Sequence, residues 1–108
     1  MNEQEKRVRL AQLLGWKNIW QRNTYDYAGV SPTGEEIDLP WWWSTLDDAH
    51  ALGEEMMRRG LMEEYIAAIY DPYIAMPDRL PWEQYLLLCP ASVRAEAALA
   101  VLERKEKK

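Results

Sequence analysis

From Glu3 to Leu14 the apolar residues Leu10, Ala11, Leu13 and Leu14 cluster on one side of a stretch otherwise rich in Glu, Lys, Arg and Gln. This spacing predicts a short amphipathic helix stopped by Gly15, with Trp16 and Trp20 following as anchors. Between Tyr25 and Leu39 the period changes to two: Tyr25 and Tyr27 flank Asp26, and Ile37 and Leu39 flank Asp38. Ser31-Pro32-Thr33-Gly34 offers Pro and Gly where a type I turn takes them, so the segment reads as a hairpin. Pro40 ends the second strand. Ser44 or Thr45 then caps a helix whose first turn holds Asp47 and Asp48, whose buried face is Leu46, Ala49, Leu52, Gly53 and Met56, and which Gly60 stops.

The second half is less decided. Leu61, Met62, Tyr65, Ile66 and Ile69 repeat at helical spacing, yet a short run between Gly60 and Pro72 also suits a strand, and Trp82 to Cys89 carries the same ambiguity. Asp71 to Pro81, with three prolines, reads as a loop. Ala91 to Leu102 is an Ala-rich, largely buried helix, and Arg104 to Lys108 is expected to fray. The sum is a single α+β domain over residues 1–108: a small antiparallel sheet, the hairpin plus one or two further strands, packed with about three helices.

Trp41-Trp42-Trp43 does not fit the periodic pattern. A strand alternates its side chains and a helix fans them about 100° apart, so three consecutive indoles are not buried on one face of either. In an extended segment Trp41 and Trp43 would enter the core and leave Trp42 on the opposite face. The surrounding stretch, Asn23 to Met57, holds eight carboxylates and no Lys or Arg, whereas residues 1–22 carry +3 and the remainder balances to the net −5. Exposed Trp ringed by Glu35, Glu36, Asp38, Asp47 and Asp48 has the composition of an interface centre with a charged rim. These eight residues, Trp41, Trp42, Trp43, Glu35, Glu36, Asp38, Asp47 and Asp48, are the candidate partner-binding site.

Charge and composition exclude more than they assign. An acidic field repels nucleic acid and favours basic protein surfaces. Cys89 is the only cysteine, so no intrachain disulfide forms, which accords with a reducing cytoplasm. No apolar run approaches the ~20 residues of a membrane span. There is no phosphate-binding glycine loop. Asp47, His50 and Glu54 share a helical face but lack the further ligands of a zinc site, and Cys89 sits between Leu88 and Pro90 in an apolar context that suits a buried thiol rather than a nucleophile. No cofactor, metal or catalytic residue is therefore assigned, and the protein is expected not to be an enzyme. Lys6, Arg7, Arg9, Lys17 and Arg22, with Trp16, Trp20 or Tyr25, form an alternative site in which an anionic signalling nucleotide would be trapped.

Several short motifs resemble a known family. Leu14-Gly15-Trp16, the hairpin, Leu39-Pro40 leading into Thr45 to Asp47, and the ending Cys89-Pro90-Ala91-Ser92-Val93-Arg94-Ala95-Glu96-Ala97-Ala98-Leu99 are similar to the phage ABA sandwich proteins, small bacteriophage and prophage proteins. The resemblance implies helices packed on an antiparallel sheet, with residues 61–70 and 82–88 as strands, a viral or mobile-element origin, and no catalytic residues. The expectation is a cytoplasmic binding protein that occludes a basic host protein, such as a defence nuclease, with self-association as a further option and no direct contact with nucleic acid or membrane.

Overall fold

The computed structural model describes residues 1–24 and 26–106; Tyr25, Lys107 and Lys108 lie outside it. The chain runs α1 (Glu3–Leu13), β1 (Lys17–Gln21), β2 (Tyr27–Val30), β3 (Glu36–Asp38), α2 (Leu46–Arg58), α3 (Met62–Ile74), α4 (Trp82–Leu88) and α5 (Ala91–Glu106). The architecture is α+β, with five helices among the described residues rather than about three. Residues 61–70 and 82–88, left open above and made strands by the resemblance, are both helical. In α3 and α4 one face alone is buried: Tyr65, Ile69 and Tyr73, then Tyr85 and, just past the helix, Cys89. That spacing of four residues is the helical period prevailing over the short length of each run.

The sheet is antiparallel in the order β1-β2-β3. Its β2–β3 hairpin is the expected one: Gly34 N–H donates to the Ser31 carbonyl (2.9 Å) and Ser31 N–H to the Glu35 carbonyl (2.8 Å), with Gly34 at φ 92°. The third strand precedes the hairpin. Lys17 pairs with Val30 and Trp20 with Ala28, so Asn18 and Ile19 together face Gly29 across a β-bulge. Asn18 takes φ 52°, a left-handed conformation that Asn tolerates, and a Cβ on Gly29 would stand 3.2 Å from the Lys17 carbonyl oxygen. The bulge interrupts the alternation that would have marked residues 17–21 as a strand.

Helix ends follow local chemistry. Thr45 caps α2, its hydroxyl accepting from Asp48 N–H (3.3 Å), and Gly15 and Gly60 close α1 and α2 at φ 100° and 73°. Ala49, Leu52 and Met56 are buried on α2, but Leu46, expected among them, is exposed at the first turn. The end of α3 is reached only at Ile74, through Pro72. Pro72 is itself exposed, so its ring does not disturb the core, although it removes the backbone donor to the Ala68 carbonyl. α5 extends to Glu106, where Glu103 is clamped to Arg9 of α1 and the basic residues Arg104 and Lys105 complement the helix C-terminus; Lys107 and Lys108, the end of the tail expected to fray, lie outside the described residues.

α5 is the central helix, packed by α1, α2 and α3, and it contributes Ala95, Ala97, Ala98, Leu99, Val101 and Leu102 to one continuous core with Leu10, Leu39, Leu52, Met56 and Ile69. Its many alanines let the neighbouring helices approach closely. The Tyr65 and Tyr85 hydroxyls are buried without a hydrogen-bond partner among the described residues, and burial pushes Tyr65 up to about 12. Because the unfolded chain ionises near the ordinary tyrosine value of 10, the stability tied to Tyr65 is complete below about pH 10 and is lost as pH rises toward 12, at about 1.4 kcal/mol per unit. Urea titrations at rising pH should show this decline in the native protein and a shallower one in Tyr65→Phe, which near neutrality should be as stable as the parent or slightly more so. An unchanged alkaline slope in the variant would assign the decline elsewhere.

Candidate functional site

Pro40 leads into a turn, not a strand. The Trp41 carbonyl accepts from Ser44 N–H (3.0 Å) and Thr45 N–H (2.9 Å), and Trp41 N–H is held by the Asp48 carboxylate at 2.7 Å. A turn of this kind directs successive side chains three ways, and each indole meets a different part of the molecule. Trp41 is half-buried beneath the Arg7 guanidinium, 3.8 Å from its ring centroid. Trp42 is 3% exposed and meets Trp16 edge-on, with ring centroids 6.5 Å apart. Trp43 is buried and donates its indole N–H to Glu96 of α5 (2.8 Å), a carboxylate that also receives Lys6 of α1 at 2.8 Å. The expectation that Trp42 is displayed on an outer face is therefore wrong, and Trp42 and Trp43 belong to the core. Both alternatives weighed for the run were periodic elements, and the chain uses neither.

Arg7 is the residue that sequence reasoning placed in the wrong role. It is 2% exposed; its Nε donates to the Pro40 carbonyl (2.8 Å), one terminal nitrogen to the Leu39 carbonyl, and the other to Gln4 Oε1 (3.5 Å). Burial lowers its pKa from the ordinary arginine value, opposed by the charges of Asp26, Asp38, Asp48 and Glu3. Three of those four carboxylates come from the acidic stretch, so part of its negative charge serves as counter-charge to a buried cation inside the same subunit. A signal was present: Arg7, Leu10, Ala11 and Leu14 stand at i, i+3, i+4 and i+7, which sets this arginine on the apolar face of α1.

The acidic candidates divide. Asp48 holds the tryptophan turn, and Asp38 pairs with Arg22 at 2.7 Å. Glu35, Glu36 and Asp47 are exposed, and Glu36 and Asp47 make no ion pair among the described residues. Asp47 lies one turn before Ala51 on the same face of α2, and Glu35 accepts from the Thr33 hydroxyl at 3.5 Å. Ala51 and Thr33 are opposite walls of a groove of about 520 Å³. Leu14, Trp16, Trp42 and Leu52 form its floor; the hairpin turn Ser31-Pro32-Thr33 with Ile37 and Pro40 forms one side, and Ala51, Glu55 and Arg58 of α2 the other. Glu55 is engaged by Arg58 and Arg59, whose hydrogen bonds hold its carboxyl below the usual glutamate range. Of the predicted site residues Trp42 alone lines this cleft, with Glu35 next to its Thr33 wall and Asp47 one turn before its Ala51 wall; the sequence did not reveal the cleft, since Leu14, Trp16 and Ala51 come from distant positions.

Four of the five cations of the nucleotide-trap reading have internal partners, Arg7 as above, Lys6 on Glu96, Arg9 on Glu103 and Arg22 on Asp38, while Lys17 is exposed and makes no ion pair among the described residues. Tyr25, its third aromatic, is outside the described residues. His50 Nε2 lies 3.3 Å from Glu54 on the exposed side of α2, and no group of three or more His, Cys, Asp or Glu residues among the described residues is placed to hold a metal ion. Cys89 is buried, its thiol toward the Leu86 carbonyl at 3.7 Å. No single helix among the described residues is long and apolar enough to cross a membrane.

No protein-family model, curated protein or solved structure matches the chain. The likeness to the phage ABA sandwich proteins accordingly rests on the short motifs alone.

Proposed function

We propose that this protein is a non-catalytic binding module that takes a basic, partly apolar segment of another protein into the groove between the β2–β3 hairpin and α2. The observation that supports the reading is the groove itself, an indole-floored cleft of about 520 Å³, flanked in sequence by Glu35, Glu36 and Asp47, which are exposed and make no ion pair among the described residues. Glu35, Glu36 and Asp47 would steer the encounter and receive Lys or Arg side chains, while an apolar side chain enters over Trp16 and Trp42 and supplies most of the burial energy. A basic surface of a nucleic-acid-handling host protein, the partner expected from the sequence, offers such a segment, and occupying it would deny that surface to phosphates. Trp41 and Trp43 have no direct part in this docking; they hold the groove's floor in place.

A Lys/Arg-rich peptide carrying one Leu or Trp anchor serves as the probe, followed by fluorescence polarisation at low and moderate salt. Native protein should bind it, and raising the salt should weaken binding, since the rim charges are exposed. Ala51→Trp, which fills the cleft from an exposed position, should abolish binding. The combined Glu35→Lys, Glu36→Lys and Asp47→Lys variant should lose about tenfold or more in affinity, roughly 1.4 kcal/mol. Equal affinity in all three proteins would contradict the groove as the docking site.

A further inference from the structure

We infer that the partner segment docks as an added strand on the free edge of β3, antiparallel to it, with a basic, apolar, basic alternation centred on the residue opposite Ile37. The inference rests on the groove reading above and specifies the backbone conformation and residue pattern of the groove's occupant. The sheet ends in two edges, β1 and β3. Leu39 N–H donates to the Tyr27 carbonyl (3.0 Å) and Ser31 N–H to the Glu35 carbonyl (2.8 Å), and Ile37 stands between these pairs, opposite Gly29. Alternate residues of an antiparallel strand bond the same neighbour, so Glu35, Ile37 and Leu39 face β2 while Glu36 and Asp38 turn their N–H and C=O groups outward. Those groups bond no described residue, and all three residues of β3 are exposed.

Two observations choose the edge and its occupant. β1 is interrupted by the bulge at Asn18 and Ile19 and bordered by Lys17 and Arg22, so it offers a basic segment neither a straight ladder nor counter-charge. β3 keeps regular register with β2, and the Glu36 and Asp38 side chains share one face of the sheet while Ile37 takes the other. Ile37, 43% exposed, belongs to the groove wall. A strand laid along this edge therefore sets one side chain beside Ile37, on the groove's side, and its two neighbours beside Glu36 and Asp38. The first position takes an apolar residue. The flanking two take Lys or Arg, since facing opposite charges attract and facing like charges repel. Asp38 is already shared with Arg22 at 2.7 Å, so Glu36 carries the larger part of this charge recognition. The same repulsion turns away the β3 of a second copy, which would set Glu36 against Asp38. Glu36 and Asp38 would each exchange both main-chain bonds with the flanking residues, a mode in which backbone supplies affinity and alternate side chains supply specificity.

Amide hydrogen exchange on the native protein, free and saturated with the capped peptide Lys-Thr-Lys-Leu-Lys-Thr-Lys, tests the pairing. The Glu36 and Asp38 amides should exchange freely alone and slow by about tenfold or more with peptide, while the Ile37 amide, which faces β2, is protected in both. N-methylation of the two Lys residues beside Leu removes the donors that face β3 and should weaken binding by about tenfold or more; N-methylation of Leu, whose amide points away, should change it by less than about twofold. Glu36→Pro, which removes an outward donor that the fold does not use, should weaken binding beyond Glu36→Gln, with native circular dichroism in both. A peptide whose binding is lost in Ala51→Trp, yet which leaves the Glu36 and Asp38 amides unprotected and is indifferent to the site of N-methylation, would overturn the added strand and leave the groove reading standing. Protection of those amides with affinity untouched by Ala51→Trp would uphold the strand and remove the groove instead. Absence of binding overturns both.

Discussion

Trp42→Ala is expected to cost about 3–5 kcal/mol of folding stability, a large share of what a domain of this size possesses. The ring is 3% exposed, braced edge-on by Trp16, and shares the groove floor with Leu14 and Leu52. Truncation removes the floor and leaves a cavity that α2 and the hairpin, each fixed by its own hydrogen bonds, cannot close. A urea titration should show a midpoint shifted far downward or an unfolded protein in buffer. On the sequence alone the same substitution is expected to spare the fold and remove only partner capture. Stability within ~1 kcal/mol of the parent would return Trp42 to an exposed, anchor-like position.

The second large effect is expected at Arg7. Arg7→Met retains the aliphatic stem but removes the donors to the Leu39 and Pro40 carbonyls and the cation above Trp41. Leaving buried carbonyls unpaired costs about 1–3 kcal/mol each, partly offset because a desolvated guanidinium is itself expensive. The net loss should be about 2–4 kcal/mol. Arg7→Lys should recover little of it, since an ammonium neither forks between two carbonyls nor stacks flat on an indole. Chemical denaturation of the two variants checks this, and a lysine variant as stable as the parent would remove the geometric argument.

Those two residues also mark where the sequence was legible. The hairpin, the Thr45 cap, the glycine stops and the buried Cys89 all follow from interactions within a few residues, and these local signals sufficed. The strand at residues 17–21 was hidden because Asn18 and Ile19 share one partner across the bulge, breaking the period of two. α3 was cut short at Pro72 because a proline ordinarily ends a helix, yet here it lies on the exposed side, where its cost is small. The tryptophan run was misread for a different reason. Its rings are distributed by a turn among Arg7 of α1, Trp16 before β1 and Glu96 of α5, and contacts this distant in the chain leave no periodic trace. Of the candidate site, the acidic half was visible as composition. Its groove was not, because a cleft is made by pairing elements rather than by any one of them.

The account depends on the acidic, indole-rich segment being fastened from within by a buried cation. A double-mutant cycle on Arg7→Met and Trp41→Ala, read by urea denaturation, tests that most directly. Trp41 is only half-buried, so its own truncation leaves a folded protein in which the pair can be measured. The stacking of the guanidinium on the ring should appear as a coupling energy of about 1–2 kcal/mol. A coupling indistinguishable from zero, with the two losses simply adding, would show that Arg7 does not hold the tryptophan turn and would contradict the account.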